Sequence, residues 1–286
     1  MTSAKKTPLQ PRLSRAGLAP VHQAEVFDHQ GKLRTVAIPG ESPLTIKVDG
    51  REIVTLMTLG TNPEDLALGY LHNQRLLERI EEVEAVNVDW DRETVDVSTR
   101  GGQGIPDLEK KMARVTVGSG CGQGTIFSCT VDKLYEQKLP WVRVCQSTVY
   151  GILKAVAPLN RIYREAGSVH GCCLCRGDEV VMWIEDVGRH NAADAIAGRM
   201  WIEGLTGEDK ILFTTGRLTS EIVMKAAFMG IPVLVSRSGV TQMGLELARD
   251  MGMVIIGRAK ATRFLVFNGA EQVVFDAVPE PARTVG

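Results

Sequence analysis

The chain has 286 residues, 44% hydrophobic and 23% charged, with a formal net charge of -1. That is globular composition with enough apolar material for one large domain or two intimate ones. The near-zero charge gives no broad field for DNA, RNA or an anionic membrane, and the longest apolar stretches, at 231–235 and 253–256, fall far short of the roughly 20 residues a bilayer span needs.

Residues 1–21 are polar, with Lys5, Lys6, Pro8, Pro11, Arg12 and Arg15, and have no apolar signal-peptide core. They read as a disordered leader on a protein kept in the cytoplasm. A β-rich portion follows over 22–117. Leu44, Ile46 and Val48 alternate, Asp49-Gly50 suits a type I′ turn, and the chain returns over 53–57. Thr61-Asn62-Pro63-Glu64-Asp65 starts a helix, with proline in the first turn and acids at the positive end. A second hairpin pairs 85–90 with 94–98, and a strand is expected over 112–117. Ser147 is placed as the cap of a helix running to about 155. Beyond Gly167, strands at 180–184, 211–214, 233–235 and 254–256 alternate with helices at 191–202, 220–229 and 242–251. This alternation implies βαβ units and a parallel or mixed sheet covered by helices.

Five stretches carry chemistry. Gly118-Ser119-Gly120-Cys121-Gly122-Gln123-Gly124 places one thiol among three flanking glycines plus Gly118, in a loop read as mobile over 118–130. Such a loop leaves sulfur uncovered and offers backbone N–H groups to a thiolate or persulfide. An incidental surface cysteine is the plain alternative. His170-Gly171-Cys172-Cys173-Leu174-Cys175 reads first as core packing, because a strand there would split the thiols between two faces. A metal site using His170 and the nearby cysteines is the competing reading, although adjacent Cys172 and Cys173 do not match the usual spaced zinc pairs.

Glu185-Asp186-Val187-Gly188-Arg189-His190-Asn191 lies where a strand gives way to a helix, the place where α/β sheets gather ligands. Capping by Asp186 or Asn191 would also account for single members. Thr215-Gly216-Arg217 and Ser236-Arg237-Ser238 occupy similar strand-to-helix turns and together would form an anion-friendly rim. Gly257-Arg258-Ala259-Lys260-Ala261-Thr262-Arg263 sets three cations after a buried strand. They suit phosphate, or they form a solvated basic loop.

The order of these stretches, with Lys225-Ala226-Ala227 and Gly230-Ile231-Pro232 between them, resembles the FdhD family of formate dehydrogenase accessory proteins over roughly residues 23 to 268. The resemblance implies a cytidine-deaminase-like three-layer α/β fold, with a mixed sheet between helices and the β-rich portion in front. It implies a cytoplasmic homodimer that takes persulfide sulfur from a cysteine desulfurase and passes it to the molybdenum bis(molybdopterin guanine dinucleotide) cofactor of formate dehydrogenase. No protein-ligated metal is implied. The persulfide cysteine falls on Cys121. The cofactor-binding stretch, gripping the guanine nucleotide moiety, falls on Arg258, Ala259, Lys260, Ala261, Thr262 and Arg263, within an α/β cofactor-binding domain at 131–270 that is followed by a tail at 271–286. His170, Arg189, His190, Gly216 and Arg217 would support the site.

Many members of that family carry Cys-x-x-Cys in the loop, whereas this chain has Gly124 at the second position. A non-catalytic chaperone of cofactor or apo-enzyme therefore stands beside the sulfur carrier. A deaminase does not, because His170 is followed by Gly171-Cys172 and the expected acid is missing.

Overall fold

The computed structural model describes residues 10–112, 115–117, 125–127, 134 and 137–277. The Cys121 loop, including Cys129, lies outside the described residues.

The N-terminal sheet has five strands in the order β1-β6-β7-β4-β5. It comprises β1 (Arg12–Leu13), β4 (Ser42–Val48), β5 (Arg51–Thr58), β6 (Val83–Asp89) and β7 (Thr94–Thr99). Asp49 and Gly50, both at positive φ, make the tight β4–β5 connection expected of their residue types. One face is apolar and buried through Leu44, Ile46, Val48, Val86, Val95 and Val97. Helix α1 (Pro63–Asn73) lies against it, with proline in its first turn as the sequence requires. Strands β2 (Val21–Phe27) and β3 (Leu33–Pro39) form a separate hairpin.

The segment read as a disordered leader is structured in its described part. Arg12 and Leu13 pair in parallel with Ala85 and Val86. The hydroxyl of Ser14 and the backbone N–H of Ala16 both donate to Glu64 Oε1, at 2.7 and 2.9 Å. Those partners lie far away in sequence, so the order they confer was not visible locally. Two other expectations shift. Met112 ends a short helix, α2 (Leu108–Met112), so the strand there is confined to β8 (Val115–Val117), paired with β9 (Thr125–Phe127). Strand β10 (Val144–Cys145) leads into α3 (Gln146–Val156), which Ser147 does not cap. Cys145 holds the cap position, and Ser147 donates from its backbone N–H and its hydroxyl to Asp276.

The second sheet has six strands in the order β12-β11-β13-β14-β15-β16. These are β11 (His170–Arg176), β12 (Glu179–Asp186), β13 (Lys210–Thr214), β14 (Val233–Ser236), β15 (Val254–Lys260) and β16 (Arg263–Asn268). The pairs β13–β14 and β14–β15 are parallel and the others antiparallel. Helices α6 (Ser220–Phe228) and α7 (Gln242–Asp250) provide the crossovers between the parallel strands. With α5 (Arg189–Glu203) they cover one face, together with Cys172, Leu174, Leu212, Leu234 and Ile255. Helix α3 covers the other face, packing on Cys173, Cys175, Phe213, Val235 and Ile256. The result is the expected three-layer α/β arrangement.

The first sheet, α1 and α5 share one continuous core. The contact between α1 and α5 is a backbone crossing: a Cβ on Gly69 would lie 1.7 Å from the Asp194 carbonyl oxygen, and one on Gly198 would lie 1.9 Å from that of Asp65. Among the described residues no helix is long and apolar enough to cross a membrane.

Candidate functional site

Thr214 and Ser236 stand side by side at the C-terminal ends of β13 and β14. Thr214 Oγ1 accepts the Gly216 N–H at 3.1 Å. Ser236 Oγ donates to the Gly216 carbonyl at 2.6 Å and accepts the Ser238 N–H at 2.9 Å. These buried hydroxyls fix the two turns against each other and are not available to a ligand. Thr215, Arg237 and Ser238 are what the turns present outward. His170 joins them from β11, its Nδ1 3.5 Å from Thr215 Oγ1, while Gly171 and Thr215 exchange backbone and hydroxyl contacts at 2.9 and 3.0 Å.

Two connected cavities open at this rim. The smaller, about 410 Å³, is lined by His170, Thr215, Arg237, Ser238 and Lys260 among others. The larger, about 850 Å³, runs between α3, α4 (Arg161–Ala166) and the β15–β16 hairpin, past Tyr150, Lys154 and Tyr163. Asn160, Tyr163, Arg237 and Lys260 line both. Placement at the carboxyl ends of parallel strands is the general location of ligand sites in open α/β sheets.

The basic stretch is not a loop but the β15–β16 hairpin. Lys260 pairs with Arg263 across it, Arg258 adopts positive φ at an irregularity in the ladder, and Ala261 does so in the turn. Ala259, Lys260, Ala261 and Thr262 line the larger cavity. Arg258 and Arg263 are exposed and are not among its lining residues.

The Glu-Asp-Val-Gly-Arg-His-Asn string is brought under the rim, and much of it is architectural. Glu185 accepts the backbone N–H groups of Ile162 and Tyr163 at the start of α4. Asp186 accepts from Thr58 Oγ1 at 2.6 Å, Leu59 N at 3.0 Å, Gly188 N at 2.9 Å and Asn191 Nδ2 at 2.9 Å, tying the two sheets together. Burial nevertheless holds the Asp186 carboxyl above the usual aspartate range, those hydrogen bonds opposing it. Neither Asp186 nor Asn191 caps α5, whose cap position is Gly188. Arg189 is buried, and its side chain passes Gly216, where a Cβ would stand 2.9 Å from it. That close approach is why glycine occupies position 216. Arg217 is exposed. Burial, then Arg189 and Arg217, lower the pKa of His170, so its imidazole is neutral at pH 7.

Behind these residues lies a buried charge cluster. Lys225 Nζ contacts Asp194 at 2.7 and 2.8 Å and Glu221 at 3.6 Å, and Asn73 Nδ2 donates to Asp194 at 2.7 Å. His190 Nδ1 lies 3.3 Å from Glu221. Burial, then Lys225 and Arg189, push His190 down to about 2. Burial pushes Glu221 up to about 7 against the pull of Lys225. With a neutral imidazole, the His190–Glu221 contact is not an ion pair. Burial also pulls on the Lys225 ammonium, but Asp194 and Glu221 outweigh it and hold its pKa above the ordinary lysine range. His190 therefore belongs to the foundation of the site and does not line either cavity.

The three described thiols of the His170 strand are split as expected. Cys172 packs in the core shared with α5, its Sγ 3.3 Å from Thr214 Oγ1, and burial raises it to about 12. Cys173 and Cys175 face the opposite core with sulfurs 3.4 Å apart, and Cys173 is likewise raised, first by that contact and then by burial. Among the described residues, no group of three or more His, Cys, Asp or Glu side chains converges on a metal position.

Sequence reading missed Tyr150, Lys154 and Tyr163 of the larger cavity. Tyr150 and Lys154, four apart on α3, flank the apolar face made by Val149, Ile152 and Val156. That spacing is the only local sign they give. It also missed the buried cluster, although Glu221 and Lys225, four apart on the otherwise apolar α6, were a readable clue.

The model of the FdhD/NarQ family matches residues 39–274. The sulfur carrier protein FdhD of Bacillus subtilis (strain 168) is 26% identical over 234 residues, which is 82% of this chain and 88% of that protein. The sulfur carrier protein FdhD of Geobacillus kaustophilus (strain HTA426) is 28% identical over 235 residues, covering 82% and 89%. A crystal structure of a candidate formate dehydrogenase accessory protein from Desulfotalea psychrophila matches with a TM-score of 0.70 at 24% identity, covering 89% of this chain and 98% of that one. At that identity the likeness is one of fold.

Proposed function

Because the chain belongs to the FdhD/NarQ family, we propose that it is a cytoplasmic sulfur carrier required for formate dehydrogenase activity, working as a homodimer. The observation that carries this reading is the family match across residues 39–274, within which Cys121 stands in its glycine-rich loop. Cys121 attacks the outer sulfur of a persulfide on a cysteine desulfurase. A new S–S bond forms at Cys121, the donor S–S bond breaks, and the donor cysteine leaves as its thiolate, so sulfur moves without net oxidation. The client is the molybdenum bis(molybdopterin guanine dinucleotide) cofactor, held as substrate at the β15–β16 hairpin.

The residues of the cleft fit that client. Lys260 lines both cavities, with Ala259, Ala261 and Thr262 beside it in the larger one, and Arg237 reaches both from the neighbouring strand end. Cations so placed suit the diphosphate of a guanine dinucleotide. Arg258 and Arg263, exposed at the hairpin, extend the positive surface toward solvent. Gly216 and Arg217 continue the rim. The neutral imidazole of His170 supplies a donor or acceptor at the inner end, while Arg189 and His190 hold the turns in place.

The buried thiols cannot replace Cys121, because Cys172 and Cys173 stay protonated and fully enclosed. Loading the protein with a desulfurase and cysteine, then mapping persulfide by mass spectrometry, tests the assignment. Sulfur is expected on Cys121 and to disappear in Cys121→Ala. Equal loading of Cys121→Ala removes the carrier mechanism. Full rescue of formate dehydrogenase activity by Cys121→Ser replaces it with a chaperone role, the reading that Gly124 favours by removing a second loop thiol.

A further inference from the structure

Strands β2 and β3 form a two-stranded sheet that pairs with no other strand among the described residues. A lone hairpin is marginal in water and becomes stable when a helix or further strands cover an apolar face. Helix α4 supports this hairpin on the β3 side, which leaves β2 as the outer edge. Four of the ten large hydrophobic side chains exposed among the described residues lie on the hairpin: Phe27 at 74%, Leu33 at 57%, Val36 and Ile38. Scattered singly they would need no account, but gathered on one hairpin they mark a contact surface.

The outer edge is open to pairing. Strand β2 has neither the Lys nor the Pro that most often blunts an exposed edge, while β3 ends on Pro39. Such an edge can meet a second copy of itself antiparallel, about a two-fold axis normal to the sheet. With the axis at Ala24, Val21 stands opposite the partner's Phe27, His22 opposite the partner's Val26, and Gln23 opposite the partner's Glu25. All seven residues are then paired, apolar meets apolar at both ends, and no like charges face each other. With the axis at Glu25, two carboxylates oppose each other. With the axis at Gln23, Val21 faces a carboxylate and Phe27 is left without a partner. Of these central positions, only Ala24 makes the edge complementary to itself.

We infer that two copies of this chain join through the outer edge of β2, forming a four-stranded antiparallel sheet β3-β2-β2-β3 centred on Ala24. The inference rests on the homodimer in the reading above and adds the element that makes it. Within each hairpin Phe27 pairs with Leu33 and Val21 with Pro39. Each end of the joined sheet therefore sets Leu33 and Phe27 beside the partner's Val21 and Pro39. Ala24 and Val36, paired likewise, form with their copies an apolar row across the middle. The contact is isologous and closes after two copies, so it leaves no β2 edge free for a third.

Sedimentation velocity over a concentration series, together with cysteine crosslinking, tests the interface on the full chain. Gln23 is exposed, and Gln23→Glu sets carboxylates against each other twice across the axis. It is expected to raise the dimer dissociation constant about 10-fold at low salt. Adding Glu25→Gln again places one amide opposite one carboxylate and is expected to return the constant to the parent value. Ala24→Cys is expected to form an intersubunit disulfide with oxidised glutathione, while the parent and Thr35→Cys, away from the axis on β3, do not. A parent that dimerises with no response to these changes overturns the β2 interface and leaves the homodimer reading standing. Loss of persulfide loading in Gln23→Glu at an unchanged dissociation constant also overturns it and gives the edge to the desulfurase. A parent that is monomeric throughout overturns both.

Discussion

Lys225 Nζ sits between the two carboxylate oxygens of Asp194, 2.7 Å from one and 2.8 Å from the other, with both side chains almost wholly removed from solvent. The pair joins α6 to α5 directly behind the turns that carry Arg189, Gly216 and Arg217. A buried pair of this kind adds little net stability against an apolar replacement, but breaking it leaves an uncompensated charge. Lys225→Met is therefore expected to cost about 3–5 kcal/mol, read as a fall in the denaturant midpoint. The double variant Lys225→Met with Asp194→Leu should recover part of that loss. A single variant as stable as the parent would remove the cluster from the foundation of the site.

Glu221 and His190 give a pH dependence with opposing signs. Glu221 is raised in the folded protein from 4.5 to about 7, so the folded state holds a proton that the unfolded chain has lost. Its stabilising contribution is complete below about 4.5 and disappears as pH rises through 7. His190 is depressed from 6.5 to about 2, so its contribution is present above 6.5 and is lost as pH falls. The two slopes oppose each other between 4.5 and 6.5. Glu221→Gln should therefore gain stability relative to the parent between pH 5 and 8, with a gap on the order of 3 kcal/mol at most. A gap that stays constant across that range in denaturant titrations contradicts the protonation assigned to Glu221.

The helix crossing at Gly69 and Gly198 admits no side chain. Alanine at Gly198 would gain about 1 kcal/mol of helix propensity. It would also set a Cβ 1.9 Å from the Asp65 carbonyl oxygen, which only separation of the two helices can relieve. We expect net destabilisation of about 1–3 kcal/mol or more by thermal unfolding for each alanine variant. An unchanged or raised midpoint would show that the helices do not meet backbone to backbone.

Thiol chemistry offers the simplest check on the strand thiols. Cys172 and Cys173 are enclosed and held in the protonated form. Iodoacetamide at pH 7.5 should leave both unmodified in the native protein and label both in denaturant, by peptide mass spectrometry. Cys172→Ala should keep full persulfide loading and lose about 1–2 kcal/mol of stability from the lost burial. Rapid native labelling of either thiol would reopen the strand as a reactive site.

By itself, the sequence determined the elements and their class. Alternation at Leu44, Ile46 and Val48, the Asp49-Gly50 turn, the proline start of α1 and the strand–helix spacing after Gly167 are local signals, written in period and turn chemistry. It also determined that Cys172 and Cys173 face apart, because a strand alternates. What it could not decide was partnership over distance. Glu64 ordering Ser14 and Ala16, Asp186 joining Thr58 and Leu59, and Lys225 meeting Asp194 each depend on two segments arriving at one place. The same holds for the cleft: Tyr150 and Tyr163 come from helices on one face, Arg237 and Lys260 from two strand ends, and His170 from a third strand. Side-chain type fixes what each group can do, while only close packing of the layers decides which groups share a cavity and which are sealed beneath it.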